Sequence, residues 1–191
     1  MFKKKAETDG SVQYKAHVVV KGYMQIPGVD FTDSFAPVAT DSAMRTVFAL
    51  VLYYQEDKKD ESWTCEVVDV EAAFLEAEVN TKTYIEWPEC VQDLGFESPS
   101  VIKAYCIQLG KAMYGTVPAA LQCFNKLVKC LKAVGLTQSK VDQCIFYLQC
   151  DGKTVLVVAT HVDDWAVAGK PQDRNDFKCE IKKQFTIKEL G

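Results

Sequence analysis

Two adjacent carboxylates, Asp163 and Asp164, lie between two apolar runs of the sequence. Residues 155–160 are apolar or β-branched, and a second apolar run covers residues 165–169. Two strand-like runs joined by a short polar pair predict a β-hairpin with the acids at its turn. Neighbouring carboxylates repel each other, and Mg²⁺, which prefers carboxylate oxygens, would relieve that repulsion. The alternative is a solvated turn without a metal, since Asp is a common turn residue.

A third carboxylate, Asp69, lies near the end of another apolar run, residues 65–70. One Asp at a strand end and two on a hairpin could converge on a pair of metal ions. Two ions about 4 Å apart activate an attacking oxygen and stabilise a leaving one in phosphoryl transfer. Asp69, Asp163 and Asp164 are therefore the candidate catalytic and metal-binding residues.

The composition suits one compact domain with a sizeable core, because 48% of the 191 residues are hydrophobic and 25% are charged. The net charge of −4 argues against nucleic-acid binding by charge alone, since phosphate contacts need a basic surface. Two lysine clusters could still form local basic faces: residues 3–5, and Lys178, Lys182, Lys183 and Lys188. The alternative for each cluster is a solvated tail or helix surface.

No run of uncharged apolar residues approaches the ~20 residues needed to span a bilayer, and the N-terminus lacks the apolar core of a signal peptide. We therefore expect an intracellular protein, cytoplasmic or nuclear, with no membrane partner. The eight cysteines fit such a compartment as free thiols. They form no Cys-x-x-Cys pair, and His17 and His161 are the only histidines, which argues against a structural zinc site.

The remaining apolar patterns predict strands and helices in alternation. The polar residues 1–13 are expected to be disordered or frayed. The predicted strands cover residues 14–23, 63–70 and 154–160, and the predicted helices begin at Ala43, run from Pro118 to Gly135, and cover residues 172–185. Asp151-Gly152 is expected to form the turn of a hairpin.

Three features of these helices can be predicted in more detail. Asp41 or Ser42 is expected to cap the first helix. The second helix is expected to bury one apolar stripe, and the third another. The stripe of the second helix consists of Leu121, Phe124, Val128, Leu131 and Val134, and that of the third consists of Phe177, Ile181 and Phe185.

Two segments carry a resemblance to a known family. Asp69-Val70-x-x-Ala73-Phe74-Leu75 and His161-Val162-Asp163-Asp164 resemble the catalytic blocks of the reverse transcriptase of Ty1/copia-type LTR retrotransposons, which has Tyr where this chain has His161. The stretch from Tyr14 to Val38 resembles the fingers segment that opens this domain, and residues 109–115 resemble the block before its long palm helix.

The resemblance implies an α+β polymerase palm, an antiparallel sheet backed by helices, with an N-terminal fingers segment. It covers residues 14–191 and implies that the thumb and RNase H regions are missing. The implied activity is RNA-directed DNA polymerisation, in which a primer 3′-hydroxyl attacks the α-phosphate of a dNTP. Asp69, Asp163 and Asp164 would bind two Mg²⁺ ions, or Mn²⁺.

The resemblance also implies roles in substrate binding. Phe74 occupies the steric-gate position, where an aromatic ring excludes the ribose 2′-hydroxyl, and a core aromatic residue is the alternative. Lys15 and Lys21 could face the triphosphate or a template phosphate. The expected partners are dNTPs and a template–primer of RNA or DNA.

One block departs from the family. Residues 116–123, Thr116-Val117-Pro118-Ala119-Ala120-Leu121-Gln122-Cys123, replace a Leu-Lys-Gln-x-Pro-Arg-x-Trp run. This change, together with His161 and the acidic balance, supports a second hypothesis: a decayed or co-opted fragment that at most binds nucleic acid or protein. A third, a small metal-dependent phosphohydrolase, needs only the Asp cluster, and no phosphate-cradling glycine loop supports it.

Overall fold

The computed structural model describes residues 2–6, 11–16, 18–56, 62–79, 81–88, 91, 100 and 104–190, with the backbone alone at residues 2, 3, 5, 6 and 15. The described elements are, in chain order, β1 (Phe2–Ala6), β2 (Val12–Ala16), a 3₁₀ turn (Gly22–Met24), α1 (Asp41–Glu56), β3 (Thr64–Val70), α2 (Ala73–Glu76), β4 (Tyr84–Ile85), β5 (Ile107–Gln108), α3 (Ala119–Ala133), β6 (Thr137–Gln138), β7 (Ile145–Cys150), β8 (Lys153–His161), β9 (Asp164–Gly169), α4 (Pro171–Ile181) and β10 (Ile187–Glu189). Helices and antiparallel strands occur together, which confirms the predicted α+β class.

The largest sheet has six strands in the order β10-β3-β9-β8-β7-β6, and each neighbouring pair is antiparallel. Strands β7, β8 and β9 follow one another through tight hairpins. The Asp151-Gly152 turn has φ angles of 50° and 74°, which is the type I′ geometry predicted for this hairpin. Strand β3 comes from much earlier in the chain and lies on the other side of β9, so the ends of β3, β8 and β9 are neighbours.

Alternating residues of these strands pack into two separate cores, because successive side chains in a strand point to opposite faces. On one face Trp165 and Val167 pack with residues of α3 and α4, and on the other Ala166 and Ala168 pack with residues of α1. The small alanines give α1 room close to the sheet. Helices therefore cover both faces.

Helix α4 is fixed by apolar contacts and by charge. Phe177 and Ile181 are buried, as is Phe185 just beyond the helix, which confirms the predicted apolar face. Lys178 is also buried, and its ammonium group lies 3.0 Å from a carboxylate oxygen of Glu66 on β3. A buried charge of this kind is tolerated because it is paired.

The prediction of a frayed N-terminus is wrong for the part that the structure describes. Residues Phe2–Ala6 pair with Val12–Ala16 in an antiparallel ladder, with Phe2 opposite Ala16. The strand expected over residues 14–23 also ends early, at Ala16. Val20, in the last part of the predicted strand, instead donates its amide hydrogen bond to the carbonyl of Tyr114, 2.8 Å away.

Two helix details also differ from the predictions. Helix α1 is capped by Thr40, whose hydroxyl accepts a hydrogen bond from the Ala43 amide at 3.1 Å, and not by Asp41 or Ser42. In α3, Leu131 is the one member of the predicted stripe that is fully buried. The buried face consists instead of Ala119, Gln122, Cys123, Leu127, Cys130 and Leu131. Small residues there let the helix lie close to its neighbours, which leaves the larger apolar side chains half-buried at the margins.

None of the described helices is both long and apolar enough to cross a membrane.

Candidate functional site

The strand register places the predicted acids side by side. Asp69 of β3 is directly opposite Asp164 of β9, and Asp164 is directly opposite His161 of β8. Residues directly opposite each other in a sheet present their side chains on the same face. Asp69, Asp164 and His161 therefore form a row across three strands, and Lys188 of β10, opposite Asp69, extends it to a fourth.

Asp163 lies in the turn between β8 and β9, with Val162 before it. The hairpin predicted from the two acids is thus present, although Asp164 already belongs to β9. The carbonyl of Asp163 accepts a hydrogen bond from the Val70 amide at 2.8 Å, and the Trp165 indole donates one to the carbonyl of Val162 at 3.3 Å. The first bond fastens the turn to the end of β3, next to Asp69, and the second lies within the hairpin.

The field around Asp163 is negative. Burial of its carboxyl group, and then the charges of Asp69 and Asp164, raise the pKa of Asp163 above its ordinary value. Burial, followed by the charge of Asp163, raises the pKa of the Cys123 thiol to about 12. Burial and then Asp163 also raise the pKa of Tyr114. The site therefore favours a proton or a cation.

The chemistry of this donor set fits a hard divalent cation, since carboxylate oxygens are the ligands that Mg²⁺ and Mn²⁺ prefer. The Oδ1 atom of Asp163 is buried and accepts no hydrogen bond, so a bound cation would satisfy it. As the side chains stand, no three His, Cys, Asp or Glu residues of the described chain are gathered into a group that could hold an ion. Convergence of Asp69, Asp163 and Asp164 on metal ions stays a prediction.

Phe74 lies on α2, a single helical turn that begins four residues after Asp69. Ala72, which precedes the turn, has a left-handed conformation with φ of 51° that redirects the chain from β3 into α2. The Phe74 ring lies 4.8 Å from the ring of Tyr114, measured between centroids, with 54° between the planes. Phe74 also lines a cavity of about 450 Å³ together with residues 34–38, parts of α3, and Val162 of the hairpin turn.

The two candidate nucleotide-binding lysines lie in the N-terminal segment. Lys15 is in β2, opposite Lys3, and its side chain lies outside the described atoms. Lys21 is exposed at the start of the 3₁₀ turn. The residue directly before it, Val20, donates a backbone hydrogen bond to Tyr114, so the Lys21 backbone lies close to the residue that contacts Phe74.

The C-terminal lysine cluster does not form a free basic face. Each of its four members forms an ion pair with a carboxylate, and the acids come from two strands, one helix and the turn after β3. The pairs are Lys178 with Glu66 and Glu189, Lys182 with Glu189, Lys183 with Glu180, and Lys188 with Glu71.

The sequence analysis did not identify Tyr114 or Cys123 as part of the site. Tyr114 stands in the block of residues 109–115 that resembles the family, and Gly115 after it is a turn signal. Neither signal indicates that the Tyr114 ring contacts Phe74, because that contact depends on how distant segments pack. Cys123 belongs to the divergent block and is buried beside the carboxylates.

Comparison with known proteins identifies the family of the chain. The sequence profile of the family described as reverse transcriptase (RNA-dependent DNA polymerase) matches residues 1–191. The chain is 30% identical over 193 residues to the retrovirus-related Pol polyprotein from transposon TNT 1-94 of Nicotiana tabacum, which covers 100% of this chain and 14% of that protein. It is 32% identical over 191 residues to the corresponding polyprotein from transposon RE2 of Arabidopsis thaliana, covering 99% of this chain and 12% of that protein.

A third relative, the Pol polyprotein from transposon RE1 of Arabidopsis thaliana, is 30% identical over 191 residues and again aligns with 12% of its length. The chain thus spans a small part of each of these polyproteins. No solved structure gives a significant match. The profile match over the whole chain and the three relatives show that this chain belongs to the reverse transcriptase (RNA-dependent DNA polymerase) family, in the branch found in Ty1/copia-type retrotransposons.

Proposed function

We propose that this chain is the fingers–palm part of a reverse transcriptase, which extends a primer 3′-hydroxyl with dNTPs on a nucleic-acid template. The observation that supports it best is the register that places Asp69 opposite Asp164, with the turn residue Asp163 fastened to Val70. Asp69 comes from β3 and the two other acids from the hairpin, so segments that are distant in the sequence bring their carboxylates to the same end of the sheet, where the proposal has them converge on metal ions. A hairpin that served packing alone would need no acid at that place on β3.

In this proposal Asp69, Asp163 and Asp164 hold two divalent cations. When bound, the cations would activate the primer hydroxyl and stabilise the leaving pyrophosphate oxygen. The three aspartates would supply the negative charge that binds the cations, and the backbone around them would fix their position. The hydrogen bond to Val70 fixes the turn. The buried Oδ1 atom of Asp163 has no hydrogen-bond partner, so it could bind a cation without breaking a hydrogen bond within the protein.

The remaining roles concern the nucleotide. Phe74 follows the strand that carries Asp69 and borders the cavity next to the hairpin, where its ring would exclude a ribose 2′-hydroxyl. Lys21, exposed beside the contact between Val20 and Tyr114, would attract a phosphate. Lys15 would act in the same way from β2.

A second function, nucleic-acid or protein binding without catalysis, has its own support. The divergent segment 116–123 satisfies its polar groups within the protein: the Thr116 hydroxyl donates to the Met113 carbonyl at 2.9 Å, and the Val117 amide donates to Gln25 at 2.7 Å. Gln122 is buried in the core. A segment of this kind packs well and offers few groups to a nucleotide.

Primer extension separates the two functions. The assay uses poly(rA)/oligo(dT) with Mg²⁺ or Mn²⁺, and compares the chain alone with a fusion to the thumb of a related polymerase. The proposal predicts template-dependent extension by the fusion that disappears in Asp164→Asn and persists in Asp151→Asn, a matched change in the neighbouring hairpin turn. Extension that is absent in the fusion, or that survives Asp164→Asn, would favour the binding function.

A further inference from the structure

The ring pair formed by Phe74 and Tyr114 joins the turn α2 to the segment of residues 111–115. The backbones of the two are also linked, since the Ala112 amide donates a hydrogen bond to the Ala77 carbonyl at 2.8 Å, but the ring pair is the contact that reaches the Phe74 side chain. Phe74 lies on the single turn α2, in which the Ala77 amide donates a hydrogen bond to the Phe74 carbonyl at 3.2 Å. The ring is half-buried and borders the cavity, so part of its surface has no protein neighbour. A short turn of this kind does not fix a side chain by itself, and the contact with Tyr114 supplies a second point of support.

Tyr114 is held by the chain on its other side. Its carbonyl accepts the hydrogen bond from the Val20 amide, and the next residue, Gly115, has φ of 90°. A Cβ on Gly115 would lie 2.2 Å from the Val20 carbonyl oxygen, and a Cβ on Gly22 would lie 1.8 Å from the Gly115 carbonyl oxygen. The two backbones can approach this closely because both positions are glycine. The N-terminal segment therefore positions Tyr114 through the main chain.

The Tyr114 phenol lies within the electrostatic field of the candidate site. Burial and the charge of Asp163, followed by those of Cys123 and Asp69, raise the pKa of Tyr114, so the phenol stays protonated at neutral pH. Tyr114 therefore contacts the steric-gate candidate with its ring while its polar end lies in the field of the carboxylates. A ring in this place is well suited to set the position of Phe74 relative to a sugar bound beside the acids.

We infer that Tyr114 is the positioning residue of Phe74 and sets how strongly the site discriminates deoxyribose from ribose. This inference rests on the proposed polymerase function. Discrimination by a ring against one hydroxyl requires that the ring cannot move aside, and small displacements in a binding site have large effects. Aromatic pairs contribute a free energy that corresponds to roughly two- to tenfold in an equilibrium constant, so loss of the Tyr114 ring should lower discrimination by about that factor.

The test measures Kd for dATP and for ATP, which differ only by the 2′-hydroxyl, with the full chain, Mg²⁺ and a primer–template. The primer ends in a dideoxynucleotide so that no chemistry occurs, and the next template base is thymine. The ratio of the ATP Kd to the dATP Kd is compared among the parent, Tyr114→Leu, Tyr114→Phe and Phe74→Ala. Tyr105→Leu, at an exposed tyrosine, is the matched control.

The ratio of the ATP Kd to the dATP Kd is expected to be above one in the parent. It should be unchanged in Tyr114→Phe and in Tyr105→Leu, because both variants keep an aromatic ring at position 114. It falls roughly two- to tenfold in Tyr114→Leu, and Tyr114→Leu has no further effect in a Phe74→Ala background. If the parent discriminates and Tyr114→Leu discriminates equally, or if Tyr114→Phe loses the ratio, the inference is wrong and the proposed function stands. A parent that binds dATP and ATP equally refutes both. Should Tyr114→Leu fail to fold, Tyr114→Met carries the same prediction.

Discussion

Replacing Asp163 by Asn should stabilise the metal-free protein. The carboxyl group of Asp163 has a buried Oδ1 atom without a hydrogen bond, and the charges of Asp69 and Asp164 lie close enough to raise its pKa further. In the absence of a cation, ionised Asp163 therefore weakens the fold. Asn has the same shape and removes the charge, so the repulsion ends while the backbone contact of the turn with Val70 remains.

The expected gain in the free energy of unfolding is estimated from the Oδ1 atom of Asp163, which has no hydrogen-bond partner. A buried polar group without a partner costs about 1–3 kcal/mol, and more when it is charged. Asn leaves an uncharged polar atom in the same place, so only part of this cost is recovered, and we expect a gain of about 1 kcal/mol. In a chain of this length that gain raises Tm by about 2–4 °C.

The difference in Tm between the parent and Asp163→Asn should also depend on pH. The pKa of Asp163 is raised in the folded state above its ordinary value of 3.8, so the folded protein binds more protons than the unfolded chain between the two values. The parent therefore gains stability as the pH falls through the folded-state pKa, and Asp163→Asn lacks this gain. The Tm difference is expected to be largest at neutral pH and to vanish below the ordinary Asp value.

Thermal melts with and without millimolar Mg²⁺ complete the test. Mg²⁺ should raise the Tm of the parent more than that of Asp163→Asn, because a ligand that binds only the folded state stabilises it by mass action. Asp151→Asn, in the neighbouring turn, should respond to Mg²⁺ as the parent does. Equal melting curves for parent and Asp163→Asn, unaffected by Mg²⁺, would refute both the electrostatic reasoning and the metal site.

Four further outcomes are expected. Val162→Asn should stabilise the protein by about 1 kcal/mol in urea denaturation, because a β-branched residue is strained at φ of 55° and Asn tolerates that region; an unchanged midpoint would contradict this. Gly115→Ala should destabilise it by more than about 2 kcal/mol in the same assay, since the new Cβ meets the Val20 carbonyl, and near-wild-type stability would show that the segment can shift. Lys178→Met should lower the free energy of unfolding by about 2–3 kcal/mol, because Glu66 and Glu189 lose the buried ammonium group with which they pair. A variant more stable than the parent would show that these ion pairs do not stabilise the fold. In filter binding, primer–template affinity should be weak and should be lost in high salt, because few lysines are available for phosphate contacts, so tight binding in high salt would contradict this expectation.

Local sequence patterns predicted the parts of the fold that depend on neighbouring residues. The hairpin at Asp163-Asp164 was predictable because β-branched runs flank a polar pair, and Asp151-Gly152 because only certain residues accept positive φ at both turn positions. Both features are decided within about ten residues of chain, a range over which turn chemistry and alternation are informative.

Features that depend on distant segments could not be predicted in this way. The pairing of Asp69 with Asp164 joins strands that are far apart in the sequence. The residue pattern indicated only that the acids could converge, and the resemblance to the family implied that they belong together. The buried face of α3 is decided by how closely the helix approaches its neighbours. The C-terminal lysines looked like a basic face because their partners, such as Glu66 and Glu71, belong to segments elsewhere in the chain.

Backbone strain bears on whether the site is functional or inherited. Among the described residues, Ala72, Asp151 and Val162 are the non-glycine residues with positive φ. Asp151 lies in an ordinary hairpin turn, where Asp is favoured. The other two are at the candidate site: Ala72 directs the chain into the turn that carries Phe74, and Val162 precedes Asp163.

Strained conformations of this kind persist where the surrounding structure imposes them, and they concentrate at functional sites. A fold that required only packing would be more stable with Asn or Gly at both positions. Val162 and Ala72 instead keep apolar side chains there, with Val162 lining the cavity beside Phe74. The strain therefore weighs toward the polymerase function, whereas the paired lysines and the buried Gln122 weigh toward a binding module. Because the strain lies beside the acids and the contrary features lie in α3 and around α4, template-dependent extension by the thumb fusion, and its loss in Asp164→Asn, is the observation that decides between the two functions.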